Sequence, residues 1–84
     1  MGELNMRMGS NILPKNELII YLIIVLLLER RLDSKSFMQE FNISNKTFYR
    51  YISEIKNIIA DFGLYYIEIY YDRKSSIYRC KITM

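Results

Sequence analysis

The chain has no histidine and no tryptophan, one cysteine, one proline and three glycines among its 84 residues. Without histidine there is no imidazole for general-base work near neutral pH. A zinc site would need carboxylates and a single thiol, an unfavourable donor set. Cys80 alone can close no intrachain disulfide, which fits a reducing, cytoplasmic setting. No glycine-rich phosphate loop, spaced acid pair or nucleophile motif is present. An enzyme is therefore the least supported function class, and no cofactor is implied.

Long apolar runs are also scarce, with one exception. Residues 18–28 read LIIYLIIVLLL without a break. A membrane span needs about 20 apolar residues, and this run stops well short between Glu17 and Glu29-Arg30-Arg31. A secretory leader could carry a core of this length, but Glu17 abuts it and no small-residue cleavage site follows. The reading adopted is a helix over 14–32, opened by Pro14 at its first position and buried on nearly all sides. On a helical wheel Leu18, Tyr21, Leu22, Val25, Leu28 and Leu32 form the face expected to meet the core. Ile20, Ile23, Ile24 and Leu27 lie opposite, with Asn16, Arg30 and Arg31 at the ends. Such an apolar patch is typical of an interface, here of a homodimer through helix 14–32. Residues 1–13 show no period and are expected to form a mobile arm ahead of one domain over 14–84.

Composition is otherwise that of a folded protein with one modest core, about half apolar and a quarter charged. The stretch 34–63 organises it. A short helix, with Phe37, Met38 and Phe41 inward and Lys35, Ser36, Gln39 and Glu40 outward, is expected to start at a Ser34 cap. Asn42 suits a left-handed helix end, Ile43 plugs the angle, and Ser44 is a good N-cap for a longer helix. In that helix, 45–62, the residues Phe48, Ile52, Ile55, Ile59 and Phe62 recur at spacings of three and four, marking one buried face. Asn45, Lys46, Tyr49, Arg50, Ser53 and Asn57 fall largely on the other side, with no acid before Glu54. That is the chemistry of a recognition helix in a major groove.

Residues 37–52, FMQEFNISNKTFYRYI, resemble the helix-turn-helix of DeoR-type winged-helix regulators of bacteria. Phe37, Phe41, Ile43, Ser44, Thr47, Phe48, Arg50 and Ile52 agree with that pattern in kind. Met38 stands for a small Ala, Asn42 for the turn Gly, and Tyr51 for an Asp. The resemblance implies a DNA-binding domain, usually followed by an effector-binding one.

Beyond Gly63, a C′ residue, the chain alternates. Tyr65, Ile67, Ile69 and Tyr71 face one way and Tyr66, Glu68 and Tyr70 the other, with Tyr66 and Tyr70 read first as strand formers. Tyr78, Cys80 and Ile82 repeat the pattern after a turn at Asp72-Arg73-Lys74-Ser75. Pairing Tyr71 with Ser76, Ile69 with Tyr78 and Glu68 with Arg79 satisfies both faces. A basic-tipped hairpin after a recognition helix is a wing. From Asn45 onward seven bases face four acids, which accounts for the whole net charge of +3. A phosphate-contacting surface needs such an excess, although an ordinary solvated surface also carries one.

The expected fold is thus α+β, mainly α: a winged helix-turn-helix of three helices and a two-stranded wing. The expected function is sequence-specific binding of double-stranded DNA in transcription regulation, with no membrane partner. Asn45, Lys46, Tyr49 and Arg50 are candidates for base edges, and Thr47, Arg73 and Lys74 for the backbone or, at the wing tip, the minor groove. Each has a plainer reading: Tyr49 could cover the hydrophobic rim, and Arg50 could pair with Glu54 at i+4. Cys80 reads as a small buried hydrophobe before a reactive thiol. The rival from another class is a winged helix used only for protein contacts.

Overall fold

The computed structural model describes residues 14–83, and the expected arm over 1–13 lies outside them. In chain order come α1 (Lys15–Glu29), β1 (Arg31–Leu32), α2 (Ser34–Phe41), α3 (Asn45–Asp61), β2 (Ile67–Asp72) and β3 (Ile77–Ile82). This is the expected winged helix, mainly helical and ending in an antiparallel hairpin. The sheet gains one short strand: its order is β1-β3-β2.

Local chemistry sets the helix ends. The Asp33 carboxylate accepts from the Lys35 and Ser36 N–H groups, so Asp33 caps α2, one residue earlier than the expected Ser34. Asn42 closes α2 in the left-handed region at φ 54. Ser44 Oγ then caps α3 by accepting from the Thr47 N–H at 3.2 Å. At the far end of α3, Gly63 sits at φ 66. Its N–H donates to the Ala60 carbonyl and that of Leu64 to the Ile59 carbonyl, a Schellman motif. The chain leaves the helix axis here, so Phe62 is 74% exposed and does not extend the buried face as expected. Leu64 lies beside Ile59 instead.

The first helix differs most from expectation. It stops at Glu29, because Arg30 adopts φ 63 and its N–H closes on the Leu26 carbonyl at 3.1 Å. Arg31 and Leu32 then pair with Arg79 and Tyr78 of β3. The core face is rotated by about one residue. Leu18, Ile19, Leu22 and Leu26 are buried, while Tyr21 and Leu28, expected inside, are exposed. With every residue of the run apolar, no polar position marked the outer side.

Phe48 and Leu22 are fully buried at the centre of the core. Phe48 meets Phe37 of α2 and Tyr78 of β3 edge-on, with ring centroids 5.8 and 5.4 Å apart. Tyr51 is buried beside Ile52 and Ile55 on the same helix. Aromatic rings thus join helix-turn-helix to sheet in a core too small to rely on aliphatics alone.

The hairpin register is shifted by two residues from the expected one. Asp72 pairs with Ile77, Tyr71 with Tyr78, Ile69 with Cys80, Glu68 with Lys81 and Ile67 with Ile82. The turn is therefore 73–76, with Ser76 in the left-handed region at φ 59 and its N–H donating to the Asp72 carbonyl. Tyr65 and Tyr66 fall in the turn before β2 rather than in the strand. A two-residue shift preserves alternation, so Ile67 and Ile69 stay inward. Tyr71 and Tyr65, also expected inward, are 46 and 78% exposed. The packed face ends short of the turn at one end, and Tyr65 falls outside the strand at the other.

Candidate nucleic-acid interface

The first two turns of α3 present Asn45, Lys46, Tyr49 and Arg50 together, because residues four apart stack along one helix face. All four are exposed, opposite the buried Phe48, Tyr51, Ile52 and Ile55. The first turn carries no acid, so the positive end of the helix dipole is left uncompensated there. Thr47 is half-buried, and its hydroxyl accepts from Ser44 Oγ at 3.1 Å. It therefore belongs to the cap as much as to the surface. An open hollow of about 630 Å³, lined by Lys35, Met38, Gln39, Asn42, Ile43 and Asn45, borders the turn between α2 and α3.

Arg50 is not paired with Glu54. The Glu54 carboxylate is held by Lys15 Nζ of α1 at 3.1 Å. Among the described residues Arg50 makes no ion pair, which leaves its guanidinium available. Tyr49 packs its edge on Phe48 at 6.1 Å between centroids yet remains 56% exposed. It covers the rim and still offers its outer half.

At the wing tip, Asp72 organises the turn. Its Oδ1 accepts from the Lys74 N–H at 3.0 Å and its Oδ2 from Arg79 Nε at 2.7 Å. Arg79 also donates to Ser75 Oγ at 3.3 Å. The hydrogen bond from Arg79, then that with Ser75, holds the Asp72 carboxyl below the ordinary carboxylate range. Arg73 and Lys74 are left exposed at the tip. The hairpin is anchored on α3 close to its turn, where Tyr78 meets edge-on both Phe48 and, at 5.1 Å, its cross-strand partner Tyr71. Burial first, then the nearby Tyr49 and Tyr71, raise the Tyr78 hydroxyl above its usual range. Cys80 is buried, and burial raises its thiol too, only partly offset by Arg30.

Sequence reasoning missed the roles of Lys15, Asp72 and Arg79. The Asp72 turn had a signal, since an aspartate two residues before a turn N–H is a common Asx arrangement. The Lys15–Glu54 pair joins residues far apart in sequence and had none. The expected dimer residues divide: Ile20, Ile24 and Leu27 are exposed, whereas Ile23 is half-buried against the core.

A model of the Mga helix-turn-helix domain matches residues 4–76, most of the chain. The chain belongs to the Mga helix-turn-helix domain family. This is a DNA-binding helix-turn-helix family, not an enzyme family. The DeoR-type likeness of residues 37–52 is shared at that broader level, and the match does not extend it to the DeoR type. Neither the curated proteins nor the solved structures give a match. In this Mga domain no helix among the described residues is long and apolar enough to cross a membrane. Nor do the described residues bring together three metal-binding side chains.

Proposed function

We propose that this Mga domain binds double-stranded DNA with sequence preference, as a homodimer, in transcription regulation. Helix α3 enters the major groove, where Asn45, Lys46, Tyr49 and Arg50 face base edges. Thr47, Arg73 and Lys74 position the protein on the backbone, the wing tip reaching phosphates or the adjacent minor groove. The dimer forms through α1, on the side of Ile20, Ile23, Ile24 and Leu27.

The observation that carries this reading is that, among the described residues, the Arg50 guanidinium makes no ion pair. Glu54, the acid one turn away, is engaged by Lys15, so the second turn of α3 presents an uncompensated cation beside Lys46. The test is a gel-shift titration against duplex DNA at two salt concentrations. With roughly three to five phosphates neutralised per protomer, log affinity should fall against log salt with a slope of about −3 to −5. A flat response, or no binding at low salt, would favour a module for protein contacts.

A further inference from the structure

Strand β2 is one edge of the sheet, whose order is β1-β3-β2. The Thr83 N–H donates to the Tyr66 carbonyl, so Tyr66, Glu68, Tyr70 and Asp72 direct their backbone groups at β3. Ile67, Ile69 and Tyr71 direct theirs outward from the sheet. The Ile67 N–H is taken by the Leu64 carbonyl. Ile69 is only 7% exposed, yet its N–H and carbonyl meet no partner among the described residues. A nearly buried backbone group left in that state is costly. Nor is the edge blunted, since β2 holds no proline and no lysine and its register runs without a bulge.

Beneath this edge lies an apolar groove of about 120 Å³. Ile23 and Leu27 of α1, Ile58 and Ile59 of α3, and Ile67 and Ile69 of β2 line it, and no residue of β3 does. The groove therefore opens on the β2 side of the sheet. Ile58 on its wall is 42% exposed.

We propose that residues 4–8 of this same chain, Leu4-Asn5-Met6-Arg7-Met8, add a fourth strand to the free edge of β2, with Leu4, Met6 and Met8 in the groove. Edge and groove ask for one occupant: an extended chain with alternate apolar side chains. Over these five residues apolar and polar alternate, although the arm as a whole has no period. Methionine, being unbranched, fits an irregular apolar gap. Arg7 then faces outward beside Glu68, which makes no ion pair among the described residues. The family model begins at residue 4, so it takes in this segment.

Reach agrees as well. Five residues, 9–13, separate the segment from Pro14, and extended they span roughly 17 Å. Ile23 lies about 14 Å along α1 from Pro14 at 1.5 Å per residue. So short a tether gives a local concentration on the order of millimolar, which a separate chain at micromolar concentration does not match. The groove is small, which suits one strand better than a second folded copy. Ile20 and Ile24 do not line it and remain for the dimer contact.

Hydrogen exchange on the full chain reads the edge directly. The Ile69 and Tyr71 amides should be protected, and equally so after tenfold dilution of the protein. Met6→Asp places a charge in the groove and should speed exchange at both amides at least tenfold. The Cys80 amide, bonded to the Arg30 carbonyl within the sheet, should stay protected and so report an intact fold. In protein carrying methyl-labelled methionine, NOEs should join the Met6 or Met8 methyl to Leu27 or Ile58. Free exchange at Ile69 and Tyr71 in the wild type overturns the proposal. So does protection that fades on dilution, which gives the edge to a second copy, and so does protection unchanged in Met6→Asp. None of these readouts involves DNA, so the duplex titration stands or falls separately.

Discussion

Lys15 Nζ at the start of α1 lies 3.1 Å from Glu54 Oε2 on α3. Both side chains are substantially exposed, so the pair contributes little to stability, less than about 1 kcal/mol. Its effect is on the electrostatics of the exposed face of α3 that is proposed to read DNA. Glu54 is four residues after Arg50, within reach of its guanidinium. Lys15→Ala should leave thermal stability nearly unchanged and still weaken DNA binding, because Glu54 is released to compete for Arg50. Glu54→Ala in the Lys15→Ala background should restore affinity, since nothing then competes. Fluorescence anisotropy on a labelled duplex reads both. If the double variant binds no better than Lys15→Ala alone, the pair does not act through Arg50.

Readout and positioning separate by comparing a preferred site with random DNA. Lys46→Ala or Tyr49→Ala should cost about 1–3 kcal/mol on the preferred site and much less on random duplex. Arg73→Ala with Lys74→Ala should weaken both equally and shallow the salt slope by about one unit for each phosphate no longer neutralised. Equal losses from all four changes would mean that α3 does not read bases.

Much of this was legible from sequence wherever a single residue type has a local physical job. Ser44, Asn42 and Gly63 announced their caps, and each holds that place. The strands showed their faces by alternation. What escaped followed equally physical lines. Slipping a hairpin by two residues keeps every side chain on its own face, so alternation cannot choose between Tyr71–Ser76 and Tyr71–Tyr78. The choice is made by Asp72, whose side chain ties down Lys74 N–H and Arg79. The uniform run 18–28 offered no polar residue to orient its helix. Strand β1, two residues long, is too short to leave any periodicity. The exposed cations Lys46 and Arg50 proposed to read DNA were visible as chemistry, but only tertiary packing could show that Lys15 occupies Glu54.

Arg31 and Arg79 stand directly opposite across β1 and β3, like charges that would weaken the pairing. Asp72 compensates by binding Arg79 at 2.7 Å. Since the folded carboxyl titrates below its unfolded value, its stabilisation is complete above the ordinary aspartate range, about pH 4. It is lost as pH falls through the lower folded value. Asp72→Asn keeps an acceptor for the Lys74 N–H and removes the charge. The variant should have a lower urea midpoint than wild type at neutral pH. The gap should narrow steadily as pH falls below about 4 and close once the folded carboxyl is itself protonated. A gap that persists unchanged down that acid series would assign the effect to turn geometry instead of the ion pair.

Arg30 is the joint between the first helix and the sheet. Its backbone is left-handed at φ 63, a conformation that costs a residue with a Cβ roughly 1–2 kcal/mol. Besides its N–H bond to the Leu26 carbonyl, two hydrogen bonds hold it there: Arg30 Nε donates to the Leu27 carbonyl at 3.0 Å, and the Arg30 carbonyl accepts from the Cys80 N–H at 2.9 Å. The second bond extends the β1–β3 ladder, so the left-handed turn is tied directly to β3. Arg30→Gly removes the strain and the exposed side-chain bond while loosening the unfolded chain. Its stability should lie within about 1 kcal/mol of wild type. Arg30→Val places a β-branched side chain where positive φ is a genuine outlier, and should lose more than about 1 kcal/mol. Hydrogen exchange at the Cys80 amide reads the local consequence: protection should survive in Arg30→Gly and fall sharply in Arg30→Val. Equal protection in the two variants would show that β1 is held by Leu32 packing alone and that the left-handed turn is incidental.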